Sequence, residues 1–377
     1  MNKNKGFTLI ELLAVIVILA ILMVVAVPKI LNVIENSRKS AAESSIKLVK
    51  DAIKTQVTSG SIMGTNFTSD ESGCYTFNFD DQENGNAKEL QLKNKENITG
   101  AIKYCNGNFT NNTLVFDGQD MKTIVCKKAT KLHTEKCEQT DNTYYCSGAG
   151  LTGKTITYGS LGTKGTLKSG DAFDCDVNGD GTYDENTERF YYVTDMNDST
   201  AVLIYYNNVS KGKPSDSTTY AYDKSGKNNN GPVTAIEQLP SISNWGNISL
   251  INSERSLMTE TGMTSTAAGP LPNNFNYAEK AARLLTVQEL NKACNITVEN
   301  MTRGELDKCN FLLENTKYSK ADKGNWGYWL ENPRTEYSDP VWAVYGCSRN
   351  VNNFSVDNYN DIGVRPVIEV LKSNIKY

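Results

Sequence analysis

One carboxylate, Glu11, stands inside an otherwise uncharged run from Phe7 to Val27. As a helix rising about 1.5 Å per residue, that run spans roughly 30 Å, the thickness of a bilayer core. A carboxylate at that depth costs about 2.5–3.5 kcal/mol on insertion scales and calls for a partner. The candidate partner is the α-amino group that a cut between Gly6 and Phe7 creates. Lys3 and Lys5 lie before that cut and mark its cytoplasmic side. A secretory signal carries its apolar region before the cut and small residues at the site. Here the apolar region follows Gly6, and a plain anchor has no use for Glu11.

The short basic leader ending in Gly6, the new N-terminal Phe7, and Glu11 as the fifth residue from it closely resemble the class III signal of type IV prepilins and pseudopilins. The resemblance implies a membrane prepilin peptidase/N-methyltransferase that cleaves after Gly6 and methylates the Phe7 amine. It also implies that Glu11 pairs with the Phe7 amine of a neighbouring subunit and sets the register of a filament. Pro28 removes a backbone donor where family members often bend or melt the filament helix. From Lys29 to about Val57, the residues Ile30, Val33, Ile34, Ala41, Leu48, Val49, Ala52 and Ile53 recur at roughly helical spacing. Glu35, Arg38, Lys39, Glu43, Lys47, Lys50 and Asp51 are assigned to the solvated face of that helix.

The chain is slightly acidic, with net charge −4, which disfavours a dedicated nucleic-acid site. Nine cysteines, at 74, 105, 126, 137, 146, 175, 294, 309 and 347, all follow the apolar run, so an exported chain would oxidise them. The odd count leaves one free or paired between chains. Connectivity stays open, although Cys294 with Cys309 and Cys137 with Cys146 each flank one short segment. With no tight pair of cysteines and one histidine, His133, zinc is disfavoured.

Alternation in Tyr75-Thr76-Phe77-Asn78-Phe79 predicts a half-buried strand. Further strands are expected at Ala101–Tyr104, Asn112–Phe116 and Met121–Cys126, with Asp117-Gly118 as a turn. Next comes Asp176-Val177-Asn178-Gly179-Asp180-Gly181-Thr182-Tyr183-Asp184, which matches the D-x-N-x-D-G core of calcium loops. Asp176, Asn178 and Asp180 would offer side chains, Thr182 its carbonyl, and Asp184 a side chain or a bound water. The twelfth position is Thr187 in place of the bidentate Glu. Glu185 or Glu188 could substitute only along a different loop path. A plain Asp/Asn/Gly hairpin turn into the strand Phe190–Val193 fits the same residues.

Arg283-Leu284-Leu285-Thr286-x-x-Glu289, the segment Trp326-Gly327-Tyr328-Trp329, Trp342, and Gly363-Val364-Arg365 occur in an order similar to the formylglycine-generating-enzyme branch of C-type-lectin-like folds. Thr286 and Glu289 have capping-box spacing. The enzymatic version of that fold uses a pair of redox cysteines near the C-terminus, and here Cys347 stands alone before Gly363. Trp326, Trp329 and Trp342 are read as core, and as binding hot spots if exposed. Arg365 is read as a buried structural residue. Two polar stretches, 207–233 and 259–276, are read as long loops.

The expected molecule is therefore α+β. A cleaved leader (1–6) precedes a long membrane and filament-core helix (7–58) packed on an antiparallel β pilin head (59–143). A C-terminal α+β, C-type-lectin-like surface domain (144–377) follows. The expected function is a type IV pilus subunit, made as a single-pass membrane protein and then displayed in an extracellular pilus, as a minor or tip adhesin for a host-cell, glycan or protein ligand. Its partners are other pilin subunits, the prepilin peptidase and the membrane. Calcium is the one cofactor considered, and no catalytic residues are assigned. The alternatives are a pseudopilin of a type II secretion or DNA-uptake machine, and a membrane-anchored enzyme.

Overall fold

A computed structural model of the chain describes residues 45, 47–59, 67–93, 95–105, 108–110, 114–116, 119–120, 124–138, 146, 149–215, 218–298, 302–316, 326–358 and 361–377. Of the expected helix 7–58, residues 47–58 are helical, and residues 7–44 lie outside the described residues. Val49 and Ile53 are fully covered and Gln56 nearly so, an i, i+4, i+7 stripe facing the head. Phe77, Phe79, Ala87, Leu90, Ile98 and Ile102 complete that core. Strand Cys74–Asn78 pairs antiparallel with Ala101–Cys105, which in turn pairs with Asn108–Thr110. A smaller ladder joins Ile98–Thr99, Val115–Phe116 and Gln119–Asp120. The expected turn at 117–118 lies outside the described residues.

Two helix assignments change. Leu48 is 63% exposed, because the covered stripe runs through Val49 and Ile53. Lys50, expected on the solvated face, is 3% exposed, because that face meets Phe109 and the loop after Cys175.

The expected strand ending at Cys126 begins there instead. Cys126–Lys128 belongs to a six-stranded sheet whose order is Val367–Leu371, Thr200–Tyr205, Arg189–Asn197, Ala172–Cys175, Cys126–Lys128, Ile375–Lys376. Only the last of these pairings is parallel. Thr200–Tyr205 is buried along its whole length, so alternate residues feed two cores. Phe190, Tyr192, Leu203 and Ile368 face Trp245, Leu284 and Trp329. Tyr191, Val193, Val202 and Val367 face Leu290, Phe311, Tyr328 and Trp342. A four-stranded sheet, Asn350–Ser355, Pro340–Tyr345, Gly327–Pro333 and Ile362–Gly363, supplies Trp329 to the first core and Tyr328 and Trp342 to the second.

The α+β expectation is corrected. Strand outweighs helix, 31% to 17%, among the described residues, which contain short helices and no long N-terminal one. The excess of strand arises because the Val-, Ile-, Tyr- and Phe-rich segments of the C-terminal half are buried on both faces. The stretches read as loops add small ladders, Val209–Ser210 with Lys213–Pro214 and Ser265–Thr266 with Gly269–Pro270.

The one eight-residue helix, Val287–Cys294, carries the predicted capping box: Thr286 accepts from the Glu289 amide at 3.1 Å while the Glu289 side chain accepts from the Thr286 amide. Disulfides join Cys74 to Cys105, Cys126 to Cys175, Cys137 to Cys146 and Cys294 to Cys309, the last two as anticipated. Cys347 remains a free thiol.

Candidate functional site

Gly6, Phe7, Glu11 and Pro28, expected from the sequence to serve processing and assembly, lie outside the described residues. Among the described residues, no helix is long and apolar enough to cross a membrane.

The acidic loop is described in full. It leaves the strand Ala172–Cys175 and returns as Arg189–Asn197, so neighbouring antiparallel strands hold both its ends. The disulfide Cys126–Cys175 and the bond from the Asp176 amide to the Val125 carbonyl, 2.8 Å, fix its base. Asn247 secures the loop from the side, its Nδ2 donating to the Asp176 carbonyl at 2.7 Å and its amide to the Val177 carbonyl at 3.0 Å.

Of the five residues read as ligands, only Asp176 is buried; Asn178 is half-buried, and Asp180, Thr182 and Asp184 are exposed. Asp176 Oδ2 accepts from the Gly181 amide at 3.1 Å. Asn178 Oδ1 accepts from the Asp180 amide at 2.8 Å, and Asp180 Oδ1 accepts from the Thr182 amide at 2.7 Å. Asp184 instead turns toward Asn186, whose amide donates to its Oδ1 at 2.8 Å. No three His, Cys, Asp or Glu side chains among the described residues converge as a preformed metal centre.

Glu188 takes the inward position that Thr187 leaves open. Thr187 is exposed, whereas Glu188 is 4% exposed and accepts from the Asp184 amide at 3.0 Å through Oε2. Two carboxylate oxygens, Asp176 Oδ1 and Glu188 Oε1, are buried without a hydrogen-bond donor. Burial pushes the Asp176 carboxyl up to about 6 against the pull of Lys50, and the Asp180 charge adds to the rise. Burial, reinforced by the charges of Asp176, Asp180 and Asp184, pushes Glu188 up to about 8 although the Asp184 amide opposes it. Burial also lowers the Lys50 ammonium, while Asp176 and Asp180 pull it back. Lys50 escaped the sequence reading because a polar residue at helical spacing looks the same whether solvent or an acidic loop faces it.

The other residues singled out in the sequence serve packing. The two His133 ring nitrogens meet Glu314 Oε1 and the Glu185 carbonyl, each at 2.7 Å. Arg365 is fully buried, donates to the Leu312 and Glu314 carbonyls, and lies over the Tyr328 ring. Trp329 and Trp342 are core, while Trp326 is half-exposed and stacks on Tyr345 with an interplanar angle of 9°.

Arg283, the first residue of the Arg-Leu-Leu-Thr motif, joins two elements through buried charge. Its Nε donates to Glu369 Oε1 at 2.7 Å and its Nη1 to Glu289 Oε2 at 2.9 Å, tying the capped helix to strand Val367–Leu371. Arg255 reaches Glu369 and Glu331 at 3.4 and 3.5 Å, and Tyr277 donates to Glu331 at 2.7 Å. Glu331 and Glu369 carried no motif in the sequence and are legible only once the strands are placed.

No curated protein and no solved structure matches the chain. Residues 1–27 match the family model of the prokaryotic N-terminal methylation motif, which supports a type IV pilin-like signal and a pilin- or pseudopilin-like secreted subunit.

Proposed function

We propose that the chain is a minor or tip subunit of a type IV pilus whose large C-terminal region is a binding module and not an enzyme. The observation that carries the reading is the match to the methylation motif over residues 1–27, a stretch that contains Gly6, Phe7 and Glu11. That motif implies assembly with other pilin subunits, a prepilin peptidase, and a membrane-anchored precursor that is later surface-exposed. Glu11 then neutralises the Phe7 amine of a neighbour away from water, where an unpaired carboxylate is costly. A lectin-like character for the C-terminal region draws support from the capping box at Thr286, the Trp-bearing sheet, and buried Arg365 after Gly363. The half-exposed Trp326–Tyr345 stack is an aromatic surface suited to a glycan or protein ligand.

The test is quantitative peptide mass spectrometry of filaments sheared from native cells. The expected result is an N-terminal peptide beginning at methylated Phe7, in trace amounts beside a smaller pilin. The same peptide as the dominant species would make this the shaft subunit. Absence from filaments with intact protein in the membrane would overturn the pilus reading in favour of a pseudopilin or an anchored module.

A further inference from the structure

The acidic loop is also where the large region meets the head. A Cβ placed on Gly179 would lie 3.5 Å from the Phe109 Cβ and 3.6 Å from the Lys50 Nζ, and one on Gly181 would lie 3.5 Å from the Lys47 Cγ. The loop's outer side therefore packs on helix 47–58 and on the head sheet, while its base is locked to the large sheet by Cys126–Cys175 and Asn247.

Its inner side is incompletely satisfied. Asp176 and Glu188, 2% and 4% exposed, each use one carboxylate oxygen on a loop amide and bury the other without a donor. A buried carboxylate oxygen left without a partner carries a desolvation penalty that nothing else in the loop offsets. Asp180 and Asp184 add negative charge on the same turn, against which the Lys50 ammonium on helix 47–58 sets one opposing charge. Unmatched hard oxygens on a glycine-containing loop call for a hard cation. A flexible all-oxygen set suits Ca2+ better than Mg2+, which demands near-ideal octahedral geometry and keeps its waters. Zinc finds no nitrogen or thiolate ligand here.

We propose that residues 176–188 hold one Ca2+, with Asp176 and Glu188 as its buried anchors, and that the ion seats the large region on helix 47–58. Glu188 supplies the carboxylate that the common spacing would place at Thr187. Asn178, Asp180 and the Thr182 carbonyl are the remaining oxygens available from the turn. Without the ion, the buried Asp176 and Glu188 oxygens lose their partner, which loosens the loop and with it the joint to helix 47–58. This inference stands on the loop geometry and is independent of the pilus assignment.

The experiment uses the full chain purified in detergent. Ca2+ and Mg2+ are titrated by calorimetry, Tb3+ luminescence sensitised through Tyr183 gives a second readout, and hydrogen exchange is followed over residues 47–58. The expected result is one saturable Ca2+ equivalent, binding preferred over Mg2+, and slowed exchange on the helix when Ca2+ is bound. Glu188→Gln and Asn178→Ala should each weaken Ca2+ by more than about tenfold, whereas Thr187→Ala should bind as the unchanged chain does. Asn178 is half-buried, so Asn178→Ala carries the test if Glu188→Gln fails to fold, as judged by tryptophan fluorescence. No saturable binding at about 10 mM Ca2+, above the range of weak extracellular calcium modules, would overturn the site. So would wild-type affinity in the folded variants. Binding with unchanged exchange over 47–58 would overturn the role at the joint.

Discussion

In the head, the core is built from Val49, Ile53, Phe77, Phe79, Ile98 and Ile102, and its Lys103–Asp70 ion pair stays at the surface. In the large region, Arg189, Arg283 and Arg365 are all fully buried: Arg189 donates to Asp174 on the neighbouring strand, Arg283 to Glu369 and Glu289, and Arg365 to the Leu312 and Glu314 carbonyls. Among the described residues the head covers its small ladders with helix 47–58 and the short helix Gly85–Glu89. The large region has strands buried on both faces, so groups at strand ends and sheet joints cannot reach water and depend on partners inside, which Arg189 has only at its Nε. The contrast locates fragility differently. Removing a charge should hurt the large region most, and removing a methyl group should hurt the head most.

The largest effect should break the large region. Arg283→Met leaves Glu289 and Glu369 without their common partner, and we expect a loss of about 3–5 kcal/mol. All four tryptophans lie in this region, so a urea titration followed by tryptophan fluorescence reports it selectively. A midpoint within error of the parent chain would mean that the buried network does not hold the large region together. The same network sets an acid dependence. Burial would raise the Glu289 carboxyl, but the charge and hydrogen bonds of Arg283 outweigh it and hold the group below its ordinary range. A depressed carboxylate contributes stability that is present above its unfolded pKa and lost as pH falls through the folded one. The urea midpoint should therefore fall below about pH 4.5, and Arg283→Met should flatten that fall.

Ile53→Ala should cost about 2–5 kcal/mol, confined to the head. Hydrogen exchange should rise over residues 47–58 and the strand Ala101–Cys105, with tryptophan fluorescence unchanged at low denaturant. If both regions unfold together, the division drawn here is too sharp, and the acidic loop and its cysteine-fixed base couple them. The smallest effect is expected at the head surface. Lys103 and the Cys74 amide hold the exposed Asp70 carboxyl below its usual range, but solvent screens the pair. Asp70→Asn should leave the head's exchange pattern as it was, and a clear change would show that the head depends on charge too.

Local elements were readable wherever short-range chemistry decides them. Strict alternation found the strand at Tyr75, the Thr286-x-x-Glu289 spacing found the capping box, and short separations found two of the four disulfides. The pairings Cys74–Cys105 and Cys126–Cys175 were not readable, because each joins paired strands whose register only the sheet defines. The excess of strand over helix is hidden in the sequence for a related reason. Val- and Tyr-rich runs covered on both faces show no alternation, and polar stretches such as 207–233 gain short ladders from neighbours rather than from propensity.

The sequence alone carries the processing signal. The methylation motif matched over residues 1–27 lies in the order of residues along one stretch of chain, which one dimension contains completely. The sequence also placed Asp176, Asn178 and Asp180 on one turn, since their spacing is local. Only the tertiary structure replaced Thr187 with Glu188, buried Lys50 against that turn, and joined Arg283 to Glu369. Those relations depend on which surfaces exclude water from which side chains, and that is settled only when distant segments pack.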